Sequence, residues 1–220
     1  MRLGAIELTP LLESRFRLDG GAMFGVVPKP LWERHFPADA QNRIQLVARV
    51  LLLEHENFVA LVDAGMGDAW DDRARAIYAI EPQGLEASLA ARGLGTDAVT
   101  DVVLTHLHFD HAGGLTARTK DGVRPRFGRA RVHVQAANWR WAASPLPKDA
   151  GSYRREDYAA IEERLRLVDG DGEVLDGVGV RRSDGHTPGL QIVYVHGGGS
   201  TSVMFPADLV PTSAHVHLPW

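Results

Sequence analysis

The sequence predicts a mixed α/β fold, and three kinds of segment support this prediction. Residues 46–53 and 58–62 are apolar, β-rich runs joined by a short polar connection, which is typical of a hairpin. Residues 85–92 carry apolar side chains at helical spacing and stop at Gly93, so we expect a helix that covers one face of a sheet. Residues 102–104 form a short apolar run typical of a buried strand.

The rest of the chain predicts further elements in the same mixed pattern. Residues 19–32 interleave apolar side chains with glycines and prolines, which predicts a loop rather than a regular element. Other expected elements are two edge strands within residues 1–18, a polar loop at 118–127, a strand at 131–134, helices at 135–141 and 153–165, a strand at 178–182, and a hairpin of 190–196 with 201–205 across the turn 197–200. His133, on the expected strand 131–134, is expected to be packed or solvated rather than a ligand.

Bulk properties exclude several classes of function. The 220 residues fit a single domain (1–220) with a sizeable core, and a net charge of −4 argues against a nucleic-acid partner. The absence of cysteine excludes disulfides, thiolate ligands and a cysteine nucleophile. No run approaches the length of a membrane span and no signal-peptide pattern opens the chain. We therefore expect a cytoplasmic protein that acts on a small molecule, without a membrane partner; a homodimer is one candidate for its oligomeric state.

One stretch concentrates the chemistry of the chain. His106, His108, Asp110 and His111 fall within six positions, directly after the apolar run 102–104. An apolar strand that leads into several imidazoles requires a counter-partner, and a metal ion provides one. Neutral imidazole and carboxylate groups suit zinc, iron, manganese or cobalt. The two glycines at 113 and 114 indicate a sharp turn or a close approach of the backbone to something bound.

The His106-x-His108-x-Asp110-His111 pattern resembles the signature of the metallo-β-lactamase superfamily. Three other fragments resemble further parts of that family in the expected order: residues 63–67, residues 185–189 and Ala207-Asp208. The resemblance covers about residue 40 to the C-terminus. It implies an αββα sandwich with one or two metal ions at the edge between two β-sheets.

The resemblance also implies a ligand set. By that set a first ion would be held by His106, His108 and His186, a second by Asp110 and His111, and Asp208 would bridge the two. Two divalent ions are expected, zinc first, with manganese, cobalt or iron as alternatives. Asp110 is the candidate catalytic residue, since it could exchange a proton with the attacking water or the leaving group. Asp63 could orient a ligand histidine, or cap the end of its strand, or do both.

The function that these features imply is a dinuclear hydrolase in which a metal-bridging hydroxide opens a lactone or an ester. An N-acyl-homoserine lactone is one candidate substrate, because residues 19–32 resemble the segment that borders the active site in quorum-quenching lactonases; the alternative is that this segment only packs under the sheet. A phosphotriester hydrolase of the same fold, a mononuclear iron persulfide dioxygenase and a non-enzymatic metal-holding module are the other hypotheses.

The chain departs from the family pattern at two points. The second ion usually takes one more histidine from a strand well beyond the bridging carboxylate, whereas the sequence ends at Trp220 and His215 and His217 are poorly placed for this role. We therefore expect a C-terminally incomplete domain that lacks the last strand and helices. The second departure is Pro211, which lies where many homoserine lactonases carry a tyrosine.

Overall fold

The computed structural model describes residues 1–120, 122–199 and 201–216. In these ranges the strands, in chain order, are β1 (Arg2–Leu3), β2 (Ile6–Asp19), β3 (Arg43–His55), β4 (Phe58–Val62), β5 (Glu81–Pro82), β6 (Asp101–Val103), β7 (Thr116–Thr119), β8 (Gly122–Pro125), β9 (Arg131–Gln135), β10 (Leu165–Val168), β11 (Gly172–Leu175), β12 (Val178–Ser183), β13 (Leu190–His196) and β14 (Ser202–Phe205). The α-helices are α1 (Gly20–Phe24), α2 (Lys29–Trp32), α3 (Asp72–Tyr78), α4 (Leu85–Ala90), α5 (Phe109–Ala112), α6 (Ala136–Ala143) and α7 (Arg155–Tyr158).

The larger sheet brings the ends of two strands together where the histidine-rich stretch begins. Its order is β1-β2-β3-β4-β6-β9-β10, with β5 beside β2. Strands β2, β3 and β4 are antiparallel neighbours, whereas β4, β6, β9 and β10 run parallel. Because parallel strands end at the same edge, Asp63 after β4 and Thr105 after β6 lie side by side.

The smaller sheet, β11-β12-β13-β14, is antiparallel and packs face to face with the larger one. Val178, Val180, Val193 and Val195 contact a row of buried residues from the larger sheet, among them Leu53. The hairpin predicted for residues 190–196 and 201–205 is confirmed by the pairing of β13 with β14; Ser200 of its predicted turn lies outside the described residues. Burial between two sheets accounts for the alternating apolar pattern of these strands.

A second core lies on the other face of the larger sheet, under the helices. Leu85 and Leu89 of α4 pack against Leu52 and Val102, and the segment that follows α7 adds Ile161. The predicted helix at residues 85–92 is thus confirmed, and the α/β fold class is confirmed with it. The layers are helices, larger sheet and smaller sheet, with the histidine-rich stretch at the edge where the two sheets meet.

Several local predictions were wrong. Residues 6–19 form one long strand rather than two edge strands, and residues 19–32 hold two short helices, the first capped by Asp19, whose carboxylate accepts from the Ala22 N–H. The expected loop at 118–127 contains the hairpin β7–β8. The expected helix at 153–165 is divided into α7 and a 3-10 helix, Ala159–Arg164. These short elements carry too few turns for periodicity to define them.

Among the residues that the structure describes, no helix is long and apolar enough to cross a membrane.

Candidate metal centre

All six predicted ligands converge on one cleft at the edge between the sheets. His106 and His108 lie on the turn after β6, and Asp110 and His111 lie in α5, which follows that turn directly. His186 lies on the turn between β12 and β13, and Asp208 lies in the 3-10 helix Ala207–Leu209 after β14. The larger sheet therefore contributes four side chains and the smaller sheet two.

The six side chains form two groups that share one carboxylate. In the first group one ligand atom each from His106, His108, His186 and Asp208 lies within 4.8 Å of the others. His186 Nε2 is 3.0 Å from His108 Nδ1 and 3.3 Å from Asp208 Oδ2. Three imidazoles and a carboxylate in this arrangement match the tetrahedral ligand number of zinc.

The second group consists of Asp110, His111 and the same Asp208. His111 Nε2 lies 3.7 Å from Asp110 Oδ2 and 3.4 Å from Asp208 Oδ1. Asp208 therefore presents Oδ2 to the first group and Oδ1 to the second. An ion held by these three groups would keep positions for water or substrate, as catalytic ions do.

Burial and charge show that these residues fit a metal ion. His106 is fully buried, and its Nε2 atom has no hydrogen-bond partner among the described residues, although buried polar atoms are normally paired. Burial, reinforced by the neighbouring histidines, holds the pKa of His106 well below its usual value and lowers that of His108 to about 3. Burial also lowers the pKa of His186. The three rings are therefore neutral at pH 7, the form that binds metal.

The carboxylates and His111 form a strongly coupled set. Burial raises the pKa of Asp110 to about 6, and the Asp208 carboxylate adds to this effect. Burial alone would lower the pKa of His111, but the negative charges of Asp208, Asp110 and Asp63 outweigh burial and raise this pKa well above its usual value. Burial alone would raise the pKa of Asp208, but the positive charge of His111 outweighs burial and lowers this pKa to about 2. Without an ion, His111 supplies the positive charge that this acidic cluster needs.

Asp63 and Thr105 fix the orientation of His111. Asp63 Oδ2 lies 2.8 Å from His111 Nδ1, which directs His111 Nε2 towards Asp110 and Asp208. Asp63 Oδ1 accepts hydrogen bonds from the Thr105 backbone N–H at 2.8 Å and from its hydroxyl at 2.9 Å. Carboxylate contacts of this kind hold the ring orientation of a ligand histidine. The structure thus places Asp63 both against a ligand ring and at the end of its strand.

The glycines after the motif allow two turns to touch. A Cβ on Gly113 would lie 2.2 Å from the Met66 carbonyl oxygen, and one on Gly114 would lie 2.0 Å from that of Ala64. The Gly114 N–H donates to the Gly65 carbonyl at 3.0 Å. The structure shows a close backbone approach of this glycine pair to residues 64–67; an approach to something bound stays a prediction.

Two further residues support the first group of ligands, and sequence reasoning assigned neither of them to the site. Buried Asn138 accepts from the Leu107 N–H at 2.9 Å and donates to the Pro188 carbonyl at 2.8 Å, so it ties the two histidine turns together. The Tyr153 ring packs edge-on against His108, and its hydroxyl lies 2.5 Å from Thr187 Oγ1. No local pattern marks these contacts, because they join residues 31 to 50 positions apart in the chain.

The remaining candidates lie elsewhere. His133 is buried on β9, and its Nε2 lies 2.7 Å from Asp101 Oδ1, which agrees with the expectation of a packed side chain. His215 stacks on Phe24, and its Nε2 donates to the Met23 carbonyl at 3.0 Å, so it is engaged away from the ligand cluster. His217 lies outside the described residues.

Comparison with known proteins gives the family. A sequence model of the metallo-beta-lactamase superfamily matches residues 44–220. The match agrees with the two-sheet fold and with the His-x-His-x-Asp-His stretch. The chain belongs to the metallo-beta-lactamase superfamily.

Individual relatives are more distant. A probable metallo-hydrolase of Mycobacterium bovis is 33% identical over 154 residues, which cover 63% of this chain and 47% of the relative. The N-acyl homoserine lactonase of Bacillus cereus is 25% identical over 181 residues, covering 76% of this chain and 65% of that protein. The chain thus spans about half to two thirds of the length of these curated relatives.

Solved structures show the same fold over nearly the whole chain. A probable metal-dependent hydrolase from Staphylococcus aureus has a TM-score of 0.91 at 29% identity, covering 98% of this chain and 77% of that one. A dizinc quorum-quenching lactonase in complex with a product has a TM-score of 0.76 at 21% identity, covering 96% and 74%. At 21% identity, the similarity to the lactonase structure concerns the fold alone.

Proposed function

We propose that the protein is a dinuclear metal-dependent hydrolase that opens a lactone or an ester, with N-acyl-homoserine lactones as the first candidate substrates. The observation that carries this proposal is the pair of ligand groups that share Asp208. A shared carboxylate keeps two cations close together, and paired ions are the arrangement that clamps both the attacking and the leaving oxygen of a hydrolysis.

The chemistry that two divalent ions supply when bound is a water with a pKa lowered from about 15.7 to about 7 and a polarised substrate carbonyl. The protein's part is to hold three neutral imidazoles on one side and Asp110 with His111 on the other. Asp208 spans the two groups through its separate oxygens. Asn138 and Tyr153 hold the histidine turns in place, so that the rings do not need to reorganise when an ion binds.

Asp110 is the proposed acid–base residue. Its carboxylate lies beside Asp208 and His111 in the second group, so it borders the position that an attacking water would take. A carboxylate placed beside the reacting water can accept its proton and later return it. Asp110 would therefore take a proton from the attacking water and return it to the alkoxide that leaves when a lactone ring opens.

The choice of a lactone rests on the relatives and on the N-terminal segment. The Bacillus cereus relative is an N-acyl homoserine lactonase. Within residues 20–32, Phe24 and Trp32 are buried and pack in one cluster with Ile44, whereas Val26 is exposed. The Met23 carbonyl of this segment accepts from His215, seven positions after Asp208 in the chain, so the segment packs on the chain beyond Asp208. Its exposed Val26 is the apolar surface that we propose for an acyl chain.

The test is a hydrolysis panel run on metal-loaded and metal-stripped protein, with metal content determined on the same samples. We expect about two divalent ions per chain and turnover of acyl-homoserine lactones or simple esters that disappears on stripping and in a His106→Ala variant. Turnover of phosphotriesters alone would contradict the lactone proposal and support a phosphotriester hydrolase of the same fold. One iron per chain with persulfide oxidation would contradict the dinuclear proposal, and no turnover across the panel with both ions loaded would contradict the enzyme.

A further inference from the structure

Glu13 is a buried carboxylate on a distorted part of β2. The residue is only 4% exposed. The pairing of β2 with β3 shifts between Leu12, opposite Arg49, and Ser14, opposite Ala48. Glu13 is the extra residue of this bulge. Bulges re-aim a side chain that regular pairing would direct elsewhere, and they are frequent beside active sites.

The Glu13 carboxylate holds the backbone of the turn that follows Asp63. Its Oε2 accepts from the Met66 N–H at 2.9 Å and its Oε1 from the Gly67 N–H at 3.1 Å. A Cβ on Gly65 would lie 2.3 Å from Oε2, so this turn lies directly against the carboxylate. Burial raises the pKa of Glu13, whereas the two N–H donors favour its ionised form. Hydrogen bonds to an ionised acceptor are about twice as strong as neutral ones.

The same turn is joined to the second ligand group. The Ala64 N–H donates to the His111 carbonyl at 2.8 Å, and the Gly65 carbonyl accepts from the Gly114 N–H. The Asp63 carboxylate lies against His111 Nδ1. Asp63 itself has a φ of +61°, a left-handed conformation that is uncommon for a residue other than glycine and persists only when its surroundings hold it.

We propose that Glu13 is a positioning residue for the second metal, which acts through residues 63–67 to hold Asp63 against His111. The inference rests on the proposed dinuclear centre. Among the described residues Glu13 hydrogen-bonds to Met66 and Gly67 and to none of the six candidate ligands. Thr105, which donates to Asp63, also lies 3.1 Å from His106 Nδ1, but the first ligand group is held in addition by Asn138 and Tyr153, which Glu13 does not contact. Loss of the Glu13 carboxylate should therefore weaken the second site and spare the first.

The experiment compares Glu13→Gln and Glu13→Ala with Glu56→Gln, a control on an exposed turn residue. Metal-free protein is titrated with cobalt(II) and with zinc, and both dissociation constants are determined beside a thermal unfolding curve. The glutamine keeps one acceptor but places an NH₂ group against the other N–H, and the alanine leaves both N–H groups unpaired. We expect Glu13→Ala to weaken the second site by roughly 10–100-fold, Glu13→Gln to weaken it less, and the first site and the control to be unchanged.

A second measurement separates this inference from the proposed function. In metal-free protein the His111 ring N–H that faces Asp63 should give a slowly exchanging proton resonance in nuclear magnetic resonance spectra, and Glu13→Gln should make its exchange faster. If the wild-type chain binds one ion but this change occurs, the positioning role stands and the dinuclear proposal fails. If Glu13→Ala does not fold, the glutamine variant carries the test. Unchanged second-site affinity and unchanged exchange in folded Glu13→Gln, or equal weakening of both sites, would overturn the inference.

Discussion

At the scale of single residues, the candidate site depends on a carboxylate that is not itself one of the candidate ligands. Asp63 contacts His111 and Thr105 at the same time, so one side chain fixes a ligand ring and joins the ends of β4 and β6. His106 shows the opposite case: its fully buried Nε2 has no hydrogen-bond partner among the described residues, and a bound ion would provide one.

Asp63→Asn tests the orienting role. Asparagine keeps the shape of the side chain and tolerates a left-handed backbone, but it removes the charge that faces His111 Nδ1. We expect the protein to fold and the affinity of the second site to fall by roughly 10–100-fold, with the first site retained. Metal titration measures both. Asp176→Asn, an exposed aspartate in a turn, is the matched control; if it and Asp63→Asn bind metal equally well, Asp63 does not orient His111.

At the scale of elements, the centre is made by turns in contact, and a glycine there has no substitute. A Cβ on Gly114 would lie 2.0 Å from a backbone oxygen that cannot move away. We expect Gly114→Ala to destabilise the protein by about 1–3 kcal/mol or more and to separate the turn at 112–114 from residues 64–67. Gly185→Ala is the control, because Gly185 precedes His186 in another ligand turn and has open space around its Cα. Equal melting temperatures for the two variants would contradict this account.

Helix α7 contains a buried carboxylate, that of Asp157, outside the candidate metal centre. Neither oxygen has a hydrogen-bond partner among the described residues, and Arg154 Nη1 lies 3.6 Å from Oδ1. Burial raises the pKa of Asp157 to about 7 from an ordinary value of 3.8. The folded state therefore binds more protons than the unfolded state between these pH values, so this group destabilises the fold increasingly as pH rises through that window.

Asp157→Asn should remove that pH-dependent penalty. We expect the variant to gain stability relative to the wild type as pH rises from 4 to 8, by up to about 4 kcal/mol, since one pKa unit corresponds to about 1.36 kcal/mol. Denaturant unfolding of metal-free protein at pH 4 and pH 8 measures the difference. A stability offset that is the same at both pH values would show that Asp157 does not titrate in this window.

Part of the candidate site can be predicted from the sequence, and part cannot. The histidine-rich stretch is contiguous and follows an apolar strand, so residue types alone locate it, while His186 and Asp208 were assigned by family resemblance. Glu13, Asn138 and Tyr153 could not be assigned, because each acts through contacts between distant parts of the chain that leave no periodic trace. Helices of four or five residues, such as α1 and α2, are likewise too short for a pattern.

At the scale of the whole molecule, two sheets are needed to complete one centre. The larger sheet supplies His106, His108, Asp110 and His111, and the smaller sheet supplies His186 and Asp208. Buried Gln191 joins the sheets at this point, since its side chain donates to the Leu104 carbonyl at 2.7 Å. Metal binding should therefore stabilise the packing of the two sheets as well as the ligand turns, because an ion binds only the folded arrangement.

The central claim is that two ions share Asp208, and anomalous diffraction from crystals of metal-loaded protein tests it most directly. Data collected on both sides of the metal absorption edge locate each ion independently of the protein atoms. The account predicts two peaks about 3.5–4 Å apart, one beside His106, His108 and His186, the other beside Asp110 and His111, with one oxygen of Asp208 on each. A single peak in fully loaded crystals, or two peaks with Asp208 bound to only one of them, would contradict it.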